Sequence, residues 1–231
     1  MIREIENLIL KVIIIVIDDS SPDKTPEIVR NLNNDYGNII LISRPTKLGL
    51  GTAIKDGFRC ALRLNPPPKY IVTMDSDFSH APQDISRLVQ TAKKGYNIVV
   101  GSRYVQGGKI CNWSFHRKIA SQFANMLARG VIGSELKDYT SGFRSYSREY
   151  LLHNLSNLQS VDFEIQIETI RQANLFGFTV KEIPIAFLNR KKGISKLGSR
   201  ELFTFIRYIT NTLFSNIILS FKNNFKKIKN K

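Results

Sequence analysis

Short apolar runs rich in Ile and Val alternate with amphipathic helical patterns through the first hundred residues of the chain. The strand-like runs lie at 12–18, 38–44, 69–75 and 96–103, and the helical patterns lie at 25–37, 51–64 and 84–95. This alternation predicts an α/β fold with a mainly parallel sheet and helices on both faces. The continuous β-branched run VIIIVID at 12–18 further predicts a fully buried strand.

The second half of the chain contains fewer strand-like runs. Two further helical patterns occupy 118–132 and 163–177, and a strand-like stretch follows at 178–187. The chain has 231 residues, which is enough for one sizeable α/β domain with its own core. We expect this domain to span 1–200 and to be followed by an amphipathic, basic C-terminal segment at 201–231.

Charged residues stand at the ends of three predicted strands. Asp18 ends the first and Asp19 follows it, Asp75 ends the third and Asp77 lies two residues further on, and Arg103 ends the fourth. Residues two apart in an extended segment point the same way, so Asp75 and Asp77 would repel each other without a nearby cation. For this fragment alone, a turn bonded to local backbone is an equally good interpretation. Because ligands of parallel sheets bind beyond the carboxyl ends of the strands, the three ends together favour a divalent-cation site.

The net charge of +15 is concentrated near the C-terminus. Residues 188–231 contain eleven basic side chains and one acid, and so supply ten of the fifteen net positive charges. A basic segment of this kind suits an anionic surface, such as a phosphorylated ligand or an anionic lipid. We expect no nucleic-acid partner, because no helix-turn-helix, zinc-finger or RNA-binding signature occurs.

The two cysteines bear on the redox compartment of the chain, and its hydropathy bears on whether a helix spans a membrane. Cys60 and Cys111 fit neither a metal spacing nor a disulfide framework, which favours a reducing compartment. No apolar window of about 18–20 residues occurs, so we expect no spanning helix.

Six stretches of the chain carry a resemblance to a known family. They are IDDSSPDKT (17–25), KLGLGTAIKDGF (47–58), MDSDFSHAP (74–82), GSRY (101–104), DYTSGFRSY (138–146) and NRKKGISKLG (189–198). In this order and spacing they resemble the inverting family 2 glycosyltransferases of the GT-A fold, in particular the dolichyl-phosphate (polyprenyl-phosphate) mannose synthases. The resemblance covers almost the whole chain and implies a Rossmann-like, three-layer sandwich.

The start of the chain departs from the family pattern. Members of the family begin with a strand that ends in a P-x-Y-N-E motif and contacts the nucleotide base. This chain begins with IREIENLIL, which resembles the helix after that motif. We therefore expect the first family strand to be lacking and a strand edge to be exposed, with the true start upstream or the chain a truncated relative.

The resemblance implies a donor site at the acidic strand ends. Asp77 would be the D-x-D carboxylate that holds Mg²⁺ or Mn²⁺, with Asp75 as a second metal ligand. Asp75 and Ser76 would lie against the ribose and the diphosphate. Asp19, with Ile17 beside it, would contact the base and ribose, since a buried carboxylate accepts hydrogen bonds from such groups.

Two further donor contacts come from the NRKKGISK segment. Arg190 and Lys196 would close over the diphosphate and offset negative charge on the leaving nucleotide. Asp18, by contrast, is expected to bond only to local backbone.

The resemblance assigns the acceptor phosphate to Arg103, Arg117 and Ser121. Arg117 and Ser121 are four residues apart on a predicted helix, so they share a face and could bind one phosphate. Catalysis would then depend on Asp77, Arg103 and Arg117. Asp138 is the mid-chain candidate for a base, but it opens a polar turn where Asp commonly bonds backbone. We expect a structural role for Asp138, and a donor-side role stays open.

The implied reaction is inverting transfer of a hexose, mannose from GDP-mannose above all, to a dolichyl or polyprenyl phosphate. A hydroxyl acceptor would need a general base, whereas a lipid monophosphate is already anionic, because its second pKa lies near about 6. Its oxygen can attack the anomeric carbon directly, and the site needs cations to hold it. Three alternatives stay open: another donor such as UDP-glucose, a hydroxyl acceptor, or a truncated, inactive binding homologue.

The end of the chain predicts contact with a membrane surface. The stretch 202–219 has a polar stripe on one helical face and apolar residues over most of the rest, as interfacial helices do. The alternative is a helix docked on the domain with a disordered tail. With a lipid substrate, we expect a peripheral protein on the cytoplasmic side of a membrane, and the resemblance leaves room for a separate membrane-anchoring subunit.

Overall fold

The predicted alternation of strands and helices is present in the computed structural model, which describes residues 1–189 and 203–216. The first half comprises α1 (Ile2–Glu6), β1 (Ile14–Asp18), α2 (Thr25–Tyr36), β2 (Ile39–Ser43), α3 (Leu50–Leu62), β3 (Tyr70–Thr73), α4 (Asp84–Ala92) and β4 (Ile98–Ser102). The second half comprises β5 (Lys109–Cys111), α5 (Phe115–Ile132), β6 (Arg144–Ser147), α6 (Arg148–Asn154), a 3-10 turn (Leu155–Asn157), α7 (Ile165–Leu175), β7 (Val180–Pro184), β8 (Ala186–Leu188) and α8 (203–216). Of the predicted site residues, Arg190 and Lys196 lie outside the described residues.

The strands form three sheets among these residues. β1 pairs with β2 and β5 pairs with β8, both in parallel, and the largest sheet has the order β3-β6-β4-β7. Within it β4 and β7 are parallel, but β6 runs antiparallel to both β3 and β4. The α/β class is therefore confirmed, and the sheet is mixed. The sequence pattern missed β6 because its four residues, RSYS, contain no apolar run.

β1 is less buried than its apolar sequence predicted. Four of its five residues are only half-buried, and Asp18 alone is fully buried. The reason is its position, since β1 pairs with β2 alone among the described strands and its other edge has no strand partner. Leu10, Val12 and Ile14 of β1 pack against the same apolar cluster as Val72 of β3.

β4 explains why the fold has three layers. Its central residues are completely buried, with Ile98 and Val100 facing one apolar cluster and Val99 facing the other, as the two-residue period of a strand requires. The first cluster includes residues of α3, α5, α6, α7 and α8, and the second includes residues of α1 and α4. The predicted three-layer sandwich is therefore confirmed.

Arg144 is a fully buried cation that holds the layers together. Its Nε donates to the carbonyl of Ser141 (2.8 Å) and its Nη2 to the carbonyl of Tyr139 (2.7 Å). Its Nη1 donates to the carbonyl of Gln166 (2.6 Å) and to Oγ1 of Thr169 (2.8 Å). The side chain thereby joins β6 to α7 and fixes the loop before β6.

Replacing Arg144 by Leu should lower the free energy of unfolding by at least about 2 kcal/mol, because the buried carbonyls of Ser141 and Tyr139 lose their donor at about 1–3 kcal/mol each. Urea unfolding measures the loss. Arg30→Leu, on the exposed face of α2, is the control and should change stability by less than about 0.5 kcal/mol. An equal effect of the two substitutions would contradict the structural role of Arg144.

Candidate active site

Asp75 and Asp77 lie in the loop that follows β3. The side chain of Asp75 is half exposed, at 49%, and Ser76 is exposed beside it. Oδ1 of Asp77 accepts a hydrogen bond from the backbone N–H of Ser79 (3.0 Å), an Asx turn of the kind that fixes a carboxylate. Phe78 between them has a φ of +62°, a conformation that is unfavourable for a bulky residue.

His80 supports this loop from the core. It is buried, with its ring stacked on Phe143 (4.9 Å between centroids) and edge-on to Phe187 (5.2 Å). Burial lowers the pKa of His80 below its ordinary value despite the nearby Asp75 carboxylate. Its Nδ1 accepts a hydrogen bond from the backbone N–H of Asp75 (3.2 Å), so the neutral ring fixes the backbone of the first acidic residue.

The acidic pair fits a metal that shares its ligands with a phosphate group. Carboxylate oxygens suit Mg²⁺ or Mn²⁺, and a diphosphate and water can supply the remaining ligands. Within residues 1–189 and 203–216 no group of three or more His, Cys, Asp or Glu side chains could hold a metal by itself. Asp75 and Asp77 therefore suit a metal that arrives with a nucleotide better than a metal held by protein alone.

Asp19 is paired with a cation that the sequence analysis did not single out. Its Oδ1 accepts from both Nε (2.6 Å) and Nη2 (2.5 Å) of Arg44, a buried residue after β2. Nη1 of Arg44 donates to Oγ1 of Thr52 (2.7 Å) at the start of α3. The pair fixes Asp19 at the end of β1, where Ser20 also has a left-handed φ of +54°.

Asp18 and Ile17 are the last two residues of β1. Oδ2 of Asp18 accepts from the backbone N–H of Ser21 (3.2 Å), so its predicted bond to local backbone is confirmed. Ile17 is half-buried and lies against Gly57 of α3, where a Cβ atom would be 3.8 Å from the Ile17 side chain.

Arg103 forms a buried ion pair with Asp138. Nε of Arg103 donates to Oδ2 of Asp138 (2.7 Å) and Nη2 donates to Oδ1 (2.6 Å), and both side chains are almost completely buried. Burial alone would raise the pKa of Asp138, but Arg103 and its hydrogen bonds hold that pKa below the ordinary value. Asp138 also accepts from the backbone N–H groups of Arg103 and Ser141. Its predicted structural role is confirmed, and a carboxylate held in this way is a poor general base.

Trp113 brings the two predicted phosphate-binding arginines together. The guanidinium carbon of Arg117 lies 4.0 Å from its ring centroid, and that of Arg103 lies 5.3 Å away. Both cations therefore stack on one indole. Nη1 of Arg117 also donates to Oδ1 of Asn189 (3.0 Å).

Ser121 lies one helical turn beyond Arg117 on α5. Its Oγ accepts a hydrogen bond from the hydroxyl of Tyr104 (2.8 Å), the residue after Arg103. Arg103 and Arg117 are thus connected through Trp113, and Ser121 is connected to the residue after Arg103 through Tyr104.

Arg44, His80 and Trp113 are the residues that sequence reasoning missed. Arg44 follows a predicted strand, as Asp19 and Asp75 do, so its position was a usable signal. His80 and Trp113 gave none, because their roles depend on rings and backbone that lie far away along the chain.

The sequence model for Glycosyl transferase family 2 matches residues 3–154. The chain is 38% identical over 191 residues to the polyprenol monophosphomannose synthase of Mycolicibacterium smegmatis, covering 82% of this chain and 71% of that protein. It is 35% identical over 198 residues to the dolichol-phosphate mannosyltransferase of Pyrococcus furiosus, covering 85% of this chain. The chain spans about half of that second relative, at 53%.

Solved structures with a similar fold include glucosyl-3-phosphoglycerate synthase from Mycobacterium tuberculosis. Its complex with Mn²⁺, UDP and glucosyl-3-phosphoglycerate has a TM-score of 0.59 at 18% identity, covering 92% of this chain and 75% of that chain. Its complex with phosphoglyceric acid has a TM-score of 0.57 at 19% identity, covering 87% and 67%. At this identity the likeness shows the fold alone.

Replacing Asp138 by Asn should lower the free energy of unfolding near neutral pH by at least about 3 kcal/mol, because a buried guanidinium loses its counter-charge. The folded pKa of Asp138 lies below the ordinary value. Its contribution is therefore complete above the unfolded pKa of about 3.9 and is lost as pH falls through the lower folded value.

Urea unfolding at about pH 7, 5 and 3 measures this pH dependence. The difference between wild type and Asp138→Asn should be constant between the first two values and smaller at the third. Asp35→Asn, on the exposed surface of α2, is the control. A difference that grows as the pH falls below about 4 would contradict the assigned pKa direction.

Proposed function

The chain belongs to glycosyl transferase family 2, so it is a glycosyltransferase with the GT-A fold, and we propose that it transfers mannose from GDP-mannose to a polyprenyl or dolichyl phosphate. The names of its relatives from M. smegmatis and P. furiosus support this acceptor class and this sugar. The observation that carries the proposal lies at the acceptor side of the site. Two arginines lie against the ring of Trp113 there, and the neighbouring carboxylate, Asp138, is neutralised by Arg103.

This arrangement suits a phosphate acceptor better than a hydroxyl acceptor. A hydroxyl must lose a proton to a base as it attacks, and Asp138 is already engaged by Arg103 and by backbone N–H groups. A phosphate monoester carries its negative charge before the reaction and needs only cations to hold it. Arg117 and Ser121 would bind this phosphate, and Arg103, whose charge is balanced by Asp138, would support Trp113 beside them.

The proposed chemistry is a single displacement. A phosphate oxygen of the acceptor forms a bond to the anomeric carbon of mannose while the bond from that carbon to the diphosphate breaks. The electron pair leaves with the nucleoside diphosphate, and the anomeric configuration is inverted. No proton needs to move in this step, which agrees with the two arginines beside Trp113 and with the engagement of Asp138 by Arg103.

The donor would bind on the acidic side of the site. Asp19 and Ile17 would contact the base and ribose, and Ser76 would face the ribose and diphosphate. Asp77 and Asp75 would hold Mg²⁺ or Mn²⁺, which supplies positive charge to the departing diphosphate. Arg190 and Lys196, outside the described residues, are proposed to close over the same group.

α8 supports peripheral contact with an anionic membrane surface. It docks on the domain through Ile209 and Thr212, which are buried, while Phe203 and Phe214 remain exposed. One face of the helix packs on the domain and the other face is exposed. The predicted interfacial helix and the docked-helix alternative are therefore compatible. Within residues 1–189 and 203–216 no helix combines the length and apolar character that crossing a bilayer requires.

α5 presents a second exposed apolar stripe. The side chains at its solvent face recur every three or four residues: Phe115, Ile119, Phe123 and Met126. The end of α8 reaches α5, since Nδ2 of Asn216 donates to the carbonyl of Val131 (2.8 Å). We propose that these faces lie against the cytoplasmic side of a membrane that carries the lipid acceptor, with or without a separate anchoring subunit.

Transfer of label to lipid tests the proposed reaction. The full chain is incubated with Mn²⁺, vesicles containing polyprenyl phosphate, and radiolabelled GDP-mannose or UDP-glucose. We expect label to enter the lipid fraction from GDP-mannose at least about tenfold faster than from UDP-glucose. Faster transfer from UDP-glucose would overturn the donor assignment, and transfer to polyprenol instead of its phosphate would overturn the acceptor.

Asp77→Ala is the control for this assay. It should abolish transfer and leave the circular dichroism spectrum and melting temperature nearly unchanged, because a partly exposed carboxylate is removed. A variant that retains most of its activity at saturating Mn²⁺ would contradict the D-x-D assignment.

Arg117→Ala should reduce transfer at least about tenfold, since a charge-assisted contact to phosphate contributes about 1.5–3 kcal/mol. Affinity for GDP should change less than about twofold, a limit set by the separation of the two binding sites. Lys at this position should recover only part of the rate, because it lacks the planar fork.

Trp113 gives a binding signal that does not depend on turnover, because it is the single tryptophan of the chain and contacts Arg117. Vesicles with polyprenyl phosphate should change its fluorescence in wild type and in the control Lys118→Ala, but not in Arg117→Ala. If GDP affinity falls as steeply as transfer in Arg117→Ala, the residue belongs to the nucleotide site and the acceptor assignment is wrong.

A further inference from the structure

Asn189, the residue after β8, contacts the acceptor side of the site through its side chain. Its Oδ1 accepts a hydrogen bond from Nη1 of Arg117 (3.0 Å), although the two residues are 72 positions apart in the sequence. Asn189 opens the stretch NRKKGISKLG, but the resemblance to the family assigns roles only to Arg190 and Lys196 of that stretch. The function of the Asn189 amide is therefore open.

The backbone around Asn189 is held without help from its side chain. The N–H of Asn189 donates to the carbonyl of Cys111 in β5 (3.1 Å), and β8 pairs with β5 in parallel. The N–H of Leu188 donates to the carbonyl of Ser79 (3.0 Å), in the loop that also contains Asp77. These bonds fix the end of β8 between the metal loop and β5. The amide side chain is not needed for this purpose, so its bond to Arg117 has a separate consequence.

That consequence is the orientation of the Arg117 guanidinium. Trp113 contacts the guanidinium at its face, with 4.0 Å from the guanidinium carbon to the ring centroid. Stacking sets the distance between the two planes, but it allows the guanidinium to turn within its own plane. The bond from Nη1 to Asn189 opposes that rotation. A two-pronged contact to phosphate depends on this rotation, because it requires two parallel N–H groups to point at the ligand.

The amide also holds Arg117 without adding negative charge. Arg103 differs in this respect, since the carboxylate of Asp138 holds it and balances its charge. An aspartate in place of Asn189 could accept the same hydrogen bond, but its charge would lie about 3 Å from the guanidinium and weaken the attraction of that group for a phosphate. A neutral acceptor therefore suits an arginine whose charge is used by a ligand.

We infer that Asn189 is a positioning residue for the transfer reaction, because its amide orients the Arg117 guanidinium toward the phosphate of the acceptor. This inference rests on the proposed function, since it presumes that Arg117 binds that phosphate. Asn189 acts through Arg117 alone, and the nucleotide is proposed to bind elsewhere, at Asp19 and Asp77. The inference therefore predicts an effect on the acceptor that disappears when Arg117 is removed.

Four variants separate orientation from charge. Asn189→Ala removes the accepting oxygen and keeps the backbone bond to Cys111. Asn189→Asp keeps the shape of the side chain and adds a negative charge. Arg117→Ala and the double variant Arg117→Ala/Asn189→Ala complete a double-mutant cycle. Asn34→Ala and Asn34→Asp are the matched controls, because Asn34 lies on the exposed face of α2.

Quenching of Trp113 fluorescence by acrylamide tests the orientation of Arg117 without any substrate. Trp113 is the single tryptophan of the chain, and Arg117 covers part of its ring. Asn189→Ala should raise the quenching constant, because a guanidinium that turns and shifts protects the indole less. Arg117→Ala should raise it as well, and the double variant should equal Arg117→Ala. The Asn34 variants should equal wild type.

Transfer of label from GDP-mannose at a low concentration of polyprenyl phosphate in vesicles tests the consequence for the reaction. Asn189→Ala should lower the rate about three- to tenfold, as the loss of one hydrogen bond to a charged group requires. Asn189→Asp should lower it further. The KM for GDP-mannose should stay close to wild type. In the Arg117→Ala background, Asn189→Ala should cause no further loss, since the two residues act as one unit.

Three results would overturn the inference: a wild-type rate and quenching constant in Asn189→Ala, independent and multiplicative losses in the double variant, or a full rate in Asn189→Asp. A failure of the proposed function looks different, because wild type then transfers no label to polyprenyl phosphate. The role of Asn189 in transfer would fall with it. The quenching cycle, which needs no substrate, would still decide whether Asn189 orients Arg117.

Discussion

The buried ion pair between Arg103 and Asp138 is the constraint on which the site depends. It fixes the start of the segment 138–144 to the end of β4, through bonds of 2.7 and 2.6 Å. Glu182 of β7 also fixes the start of this segment, because its carboxylate accepts hydrogen bonds from the backbone N–H groups of Lys137 and Asp138 (2.9 Å each). A buried ion pair contributes little net stability against an apolar replacement, but its strict geometry favours one arrangement.

This segment connects the two halves of the candidate site. It begins at Asp138, paired with Arg103 on the proposed acceptor side, and passes Gly142, beside Asp75 on the proposed donor side. Arg144 then fixes its far end to α7. Because both ends are hydrogen-bonded to the core, one piece of backbone holds Asp138 and Gly142 in place.

Local sequence signals predicted part of the fold and part of the candidate site, whose roles stay predictions. The strand–helix alternation was sufficient to predict the α/β class, and the strand-end acids were sufficient to predict where a site would form. The acids gave this signal because a strand end places its residues at one edge of a sheet, whatever the rest of the chain does. β6 and the pairing of Asp19 with Arg44 were not predictable in this way. Both depend on which strands become neighbours in the fold. Asp75, Trp113 and Gln166 are far apart along the chain, so no periodic pattern in the sequence connects them.

Three unpaired buried polar atoms lie around the candidate site. They are Nε2 of His80, Nε1 of Trp113 and Oε1 of Gln166, and none has a hydrogen-bond partner within the part of the chain that the structure describes. Apolar side chains of similar shape would avoid this cost in stability. Polar atoms retained against that cost are expected where a ligand supplies the partner. Trp113 lies beside Arg117 and Gln166 lies beside Gly142, so the unpaired atoms occur in different parts of the candidate site.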